Sequence, residues 1–129
     1  MKCYYFLAII LITGVQASSD ELTQKLKKWS SECTKETKIS QESLEKLRNP
    51  EPTDDPRLKV YVLCFLEKMD IMNENGDLKK ENLRTVLLEA GNGEEKTERL
   101  VKKCAVEKHR PEDTAYEGFL CWYKNKNLV

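Results

Sequence analysis

Between Met69 and Asn82 the chain reads MDIMNENGDLKKEN, with acidic and amide side chains gathered around Gly76. Oxygen-bearing side chains around one glycine are the raw material of a calcium loop of the form D-x-[DN]-x-[DN]-G-x5-E. With Gly76 in the sixth place, Asn73 and Asn75 fill the third and fifth. The first place is then Ile71, which has no oxygen to offer. The twelfth is Asn82, where a bidentate glutamate belongs. Asp70 and Glu81 each miss by one residue, about 100° on a helix. The stretch therefore reads as a stop between helices. Asn75-Gly76 supplies the turn, Asp77 caps the next helix, and no metal is expected.

Catalytic chemistry is short of parts. A nucleophile needs a base beside it, and His109 is the only histidine, at a helix end next to Arg110-Pro111. That place suggests exposure and a structural or neutral role rather than a proton switch. The carboxylates fall mostly on polar helix faces, where they are solvated. There is no Gly-rich phosphate loop and no C-x-x-C spacing for zinc. Neither an enzyme nor a cofactor is expected. The 22 basic and 22 acidic residues cancel, and no basic stripe interleaved with aromatics argues for nucleic acid.

The N-terminus indicates the compartment. After Lys2 comes an apolar run from Tyr4 to Val15, and Val15-Gln16-Ala17 offers small residues for cleavage. This reads as a secretory signal peptide, residues 1–17. Its run is short of the roughly 20 residues that a membrane span needs. Residues 18–129 then make one small domain of a secreted protein. Cys3 leaves with the leader, so Cys33, Cys64, Cys104 and Cys121 remain. Four cysteines in a secreted chain imply two disulfides, with three possible pairings.

The elements that position these residues are helices, since apolar residues recur at helical spacing and no alternating strand appears. Leu22, Leu26, Trp29 and Cys33 mark a first helix, opened by a capping box at Ser18-x-x-Glu21. A short second helix starts at Ser40, with Ile39 and Leu44 placed as a hydrophobic staple. Three prolines between Asn49 and Pro56 interrupt the pattern. A third helix carries a broad stripe from Leu58 to Met72, with Val60, Leu63 and Cys64 covering most of the other face. A helix apolar almost all round is central. Leu83, Val86, Leu87 and Ala90 mark a fourth. Asn92 caps a fifth that buries Leu100, Val101, Cys104 and Ala105. Thr114-x-x-Glu117 caps a sixth, with Tyr116, Phe119, Leu120, Trp122 and Tyr123. Short helices are marginal alone, and the four cysteines fall on the first, third, fifth and sixth.

This frame resembles the insect odorant-binding proteins of the pheromone and general odorant type. Their pattern has six cysteines, the second and third separated by three residues and the fifth and sixth by eight. Cys33, Cys64, Cys104 and Cys121 match the first, third, fourth and sixth. Val60 and Glu112 stand where the second and fifth would be. In that family the second and fifth pair with each other, so their joint loss leaves no orphan thiol and is similar to the minus-C subgroup. The segment YVLCFLEKMDIMNENGDL is similar to the family's third-to-fourth helix region, and the resemblance covers 18–129. It implies Cys33–Cys64 and Cys104–Cys121 bridges, and a central helix left free to shift against the last.

The resemblance further implies an all-α, compact bundle of about six short helices around an apolar cavity. Periodicity alone does not separate a hollow core from a filled one. Positions relative to the cysteines imply a ligand-binding wall of Leu26, Val62, Leu66, Leu83, Leu87, Val101, Ala105, Phe119 and Trp122. Tyr61, Tyr116 or Tyr123 would supply a hydroxyl. The implied function is extracellular carriage of a small hydrophobic ligand such as an odorant or pheromone, by a monomer or weak dimer with no membrane span. A chemosensory receptor is a candidate partner. The alternatives are a carrier in haemolymph or reproductive secretions, and a helical receptor ligand with a solid core and an exposed apolar patch.

Overall fold

The computed structural model describes residues 19–125. The expected leader, 1–17, and its neighbour Ser18 lie outside the described residues, as does the side chain of Leu22. The described chain is all-α: α1 Ser19–Thr37, α2 Gln41–Glu45, α3 Pro56–Lys68, α4 Lys80–Glu89, α5 Glu94–Cys104 and α6 Pro111–Asn125. A 3-10 turn, Lys46–Arg48, extends α2. The only β geometry among the described residues is an isolated antiparallel bridge between Met72 and Leu78.

On α1, Leu26, Ser30 and Cys33 are buried at spacings of four and three, one face of the helix. The Thr34 and Thr37 hydroxyls donate to the Ser30 and Cys33 carbonyls at 2.7 Å each. Lys38 then turns left-handed, with φ 55°, and the helix stops. Ser40 caps α2 as expected, its hydroxyl accepting from the Ser43 N–H at 3.1 Å. Ile39 and Leu44 are both buried in the same core. Asp55 caps α3 by accepting from the Arg57 N–H at 3.0 Å, with Pro56 in the first helical turn.

Helix α3 packs along both α1 and α6, and buries Leu58, Tyr61, Val62, Cys64 and Phe65. It is less uniformly enclosed than its composition suggests, since Val60 is 40% exposed. It also ends earlier than the apolar stripe. The chain turns left-handed at Asp70, φ 61°. Ile71 and Met72 reach the core from the turn rather than from the helix, with the Ile71 N–H donating to the Leu66 carbonyl at 2.9 Å.

The turn itself is wired internally. The Asn73 side-chain oxygen accepts from the Asn75 and Asp77 N–H groups at 2.9 and 3.0 Å, and its amide donates to Asp77 at 3.1 Å. Asp77 therefore does not cap α4. The Met72–Leu78 bridge keeps the chain extended past it, and the helix starts at Lys80. Gly76 has φ 89°, and a Cβ there would sit 2.8 Å from Pro111 Cγ. Gly76→Ala would meet both the left-handed penalty and the start of α6. We expect it to cost about 1–3 kcal/mol in urea unfolding; wild-type stability would contradict this contact.

Two other boundaries differ from expectation. The Asn92 side chain donates to the Leu87 carbonyl at 2.8 Å, so it closes α4, and Gly93 stands at the N-cap of α5. Helix α6 begins at Pro111, before Thr114, because proline is well suited to a first helical turn. The Arg110 carbonyl accepts from the Asp113 and Thr114 N–H groups at 3.0 Å.

Disulfides join Cys33 to Cys64 and Cys104 to Cys121. The first ties α1 to α3, the second α5 to α6. The expectation that α3 is free against α6 is corrected. One residue from Val60 and one from Glu112, Lys59 Nζ donates to Asp113 Oδ1 at 2.8 Å, with both side chains mostly buried. Arg110 adds a second contact to Asp113 at 2.9 Å. Hydrogen bonds from Lys59 and then Arg110 hold the Asp113 carboxyl below its usual range. The clasp is therefore present at neutral pH and is lost only as pH falls through that lowered value.

Candidate functional site

Helices α3 and α6, α4 and α5, and α5 and α6 pack in pairs, yet the four leave a space between them. They enclose about 860 Å³ of empty space, counting the side where it opens to solvent. The cavity proper is about 90 Å³, several times what one water needs. The wall is built in strips. Tyr61, Val62, Phe65 and Leu66 come from α3; Leu83, Val86 and Leu87 come from α4; Thr114, Gly118, Phe119 and Trp122 come from α6. Leu100 and Cys104 come from α5, with Ala105 just past its end. Met69, Ile71 and Leu78 close it from the turn, and Leu47 from the 3-10 segment.

Each strip reflects its spacing. On α6 the wall residues fall at intervals of four, one and three, which is one helix face. Phe119 and Trp122 stack there, with ring centroids 6.2 Å apart and planes inclined by 29°. The Cys104–Cys121 bridge sets α5 against this strip, and Cys104 itself reaches the wall.

Of the residues expected in the wall, Val62, Leu66, Leu83, Leu87, Ala105, Phe119 and Trp122 line the cavity. Leu26 and Val101 do not. Leu26, 1% exposed, is spent in the core on the side of α1, which packs on α3. On α5 one residue is about 100° of rotation. Leu100 faces the space, and Val101 is buried in the core beside it.

The tyrosine hydroxyls are engaged elsewhere. Tyr61 lines the wall with its ring, and its hydroxyl shares a hydrogen bond of 2.5 Å with Ser30 Oγ on α1. Tyr116 donates to the Glu51 carbonyl at 2.6 Å and Tyr123 to the Arg48 carbonyl at 3.0 Å. They stand seven residues apart on α6 and pin the proline-rich 49–55 segment across it. Burial pushes the Tyr116 phenol above its ordinary value, so it stays a donor.

The wall also takes in Phe65, Met69, Leu100 and Cys104, which the expected set left to the core or to a bridge, and Leu47, which it does not name. Thr114 and Gly118 are absent from that set because they are not apolar side chains, and Ile71 and Leu78 because they belong to a turn with no helical period. Val86 was legible, three residues from Leu83 and one from Leu87. No wall residue carries a charge. His109 is exposed in the link between α5 and α6 and is not part of the wall. Among the described residues no group of three or more His, Cys, Asp or Glu is placed to hold a metal ion.

The chain has relatives along nearly its whole length. The PBP/GOBP family pattern matches residues 15–125. The B1 protein of Tenebrio molitor is 34% identical over 119 residues, 92% of this chain and 92% of that protein. Odorant-binding protein 10 of Aedes aegypti is 32% identical over 130 residues, 98% of this chain and 91% of that protein. Among solved structures, a fatty acid binding protein from the oral disk of the blowfly Phormia regina has a TM-score of 0.68 at 28% identity. That match covers 89% of this chain and 99% of the blowfly chain. A carrier protein from the yellow meal worm has a TM-score of 0.61 at 30% identity, covering 89% and 95%. The cavity, the two bridges and these relatives agree: the chain belongs to the PBP/GOBP family, the insect odorant-binding proteins.

Proposed function

We propose that the chain is secreted after removal of residues 1–17 and carries small hydrophobic molecules in this cavity without altering them. The observation that carries the reading is a wall of uncharged, mostly apolar side chains around unfilled space between four helices. The names of two relatives, a fatty acid binding protein and a carrier protein, support the same reading. The lack of cysteine at Val60 and Glu112 supports a place in the minus-C subgroup.

Capture is driven by burial. Each methylene moved from water into the cavity contributes about 0.8 kcal/mol, against association costs that do not grow in proportion. Affinity should therefore rise with chain length until the space is full. Odorants, pheromones and other lipophiles meet that description, with a chemosensory receptor as a downstream partner. The test is a homologous series of straight-chain alcohols competing against a fluorescent naphthyl probe on purified protein. The reading predicts stepwise tightening with length and then a plateau. A flat series, or no probe binding, contradicts it.

A further inference from the structure

The enclosed part of the cavity, about 90 Å³, is smaller than the roughly 150 Å³ that admits one benzene ring. A longer chain must either run out through the mouth into water or move part of the wall, and burial favours the second.

Most of the wall is hard to move. The strips on α3, α4, α5 and α6 belong to helices that pack on one another. Ile71 and Leu78 flank the turn that Asn73 and the Met72–Leu78 bridge wire from within. Leu47 differs. It is the one wall residue from the chain ahead of α3, and it stands on the 3-10 turn Lys46–Arg48, 5% exposed. The strap that follows has little structure of its own. Pro50 and Pro52 lack an N–H, and among the described residues no backbone-to-backbone hydrogen bond involves Pro50 to Asp54. Two hydrogen bonds tie the strap to α6. The Tyr123 hydroxyl donates to the carbonyl of Arg48, the residue after Leu47, at 3.0 Å. The Tyr116 hydroxyl donates to the Glu51 carbonyl at 2.6 Å. Both tyrosines share α6 with the wall residues Phe119 and Trp122, so the pins fix the place of Leu47 relative to the opposite wall.

We propose that Leu47 is a movable stopper that sets the longest chain the cavity accepts, and that Tyr116 and Tyr123 are positioning residues that hold it at that setting. The proposal rests on the carrier reading and adds to it the residue that fixes ligand length.

The test is the competition of straight-chain alcohols against the naphthyl probe, reading the chain length at which tightening stops. Leu47→Ala removes most of the side chain and should move that limit up by about two to three carbons, because the freed apolar space is then open to ligand. Leu47→Phe adds volume and should move it down. Tyr116→Phe and Tyr123→Phe each remove a pin and no wall atom. One neutral hydrogen bond weighs about as much as one or two buried methylenes, so each should raise the limit by about one or two carbons. The shortest alcohols, which do not reach the stopper, should keep their affinity within about twofold. Val101→Ala, a change in the core beside the wall, should leave the limit where it is.

A limit that stays put in Leu47→Ala overturns the proposal, as does one that moves equally in Val101→Ala. The tyrosine variants keep every wall side chain and decide the matter where Leu47→Ala does not fold; an unmoved limit in both then overturns it. Wild-type protein that binds the series while its variants share its limit removes the stopper alone, whereas wild-type protein that binds none of the alcohols removes the carrier reading too.

Discussion

Replacing Cys104 and Cys121 together by alanine should destabilise the protein by about 3 kcal/mol and also weaken ligand binding in the molecules that remain folded. The cysteines stand 17 residues apart, and on the chain-entropy model a loop of that size accounts for the figure. The second effect comes from position. The bridge holds α5, which bears Leu100, against α6, which bears Phe119 and Trp122, and all three are wall residues. Replacing Cys33 and Cys64 should cost more stability and leave ligand binding in the folded molecules nearly unchanged. Their separation of 31 makes the loss larger, about 4 kcal/mol. Yet that bridge anchors α1, which lends no described residue to the wall. Against a total stability of about 5–15 kcal/mol neither loss is small. Urea unfolding and probe titration on both double variants check the contrast. Equal effects on affinity would contradict the assignment of the wall to α3–α6.

Trp122→Ala should weaken binding of an apolar probe by about 1–3 kcal/mol. The indole is part of the wall and stacks on Phe119, so its removal takes contact surface from the ligand and support from its neighbour. The enlarged space should favour bulky ligands, which lose least. Trp122 should also report occupancy through its emission. The other tryptophan of the domain, Trp29, packs against the core from α1, so a Trp29→Phe variant isolates the signal. Unmoved emission at saturating probe, together with unchanged affinity in Trp122→Ala, would make Trp122 ordinary core.

The helices were legible where apolar spacing is regular and a capping residue precedes it, as at Ser40 on α2. The cysteine positions, through the family they resemble, indicated the pairing. Legibility failed where the chain leaves regular structure. Met72 continues the stripe of α3 in sequence, yet the left-handed Asp70 delivers it to the core from a turn. Asn92 has the chemistry of a start cap and serves as a stop, because its side chain reaches back to Leu87. The apolar strips on α4 and α6 are legible from their period, but that they face a cavity is legible only through the family resemblance. Which of Leu100 and Val101 faces inward depends on the rotation of α5, and no spacing states that. The tyrosines that the sequence offers as hydroxyl donors are structural pins. Thr114 carried no signal, since a threonine in a first helical turn ordinarily reads as a cap.

The most direct measurement is isotope-edited NMR on the complex with 2-undecanone, recording nuclear Overhauser contacts between ligand protons and leucine and valine methyls. A ligand held in the cavity should give contacts to Val62, Leu66, Leu83 and Leu87. It should give none to Val60, Leu88 or Val106, the exposed large apolar residues among those described. Contacts confined to the exposed set, with the interior methyls silent at saturation, would place the ligand on the surface and contradict carriage in the cavity.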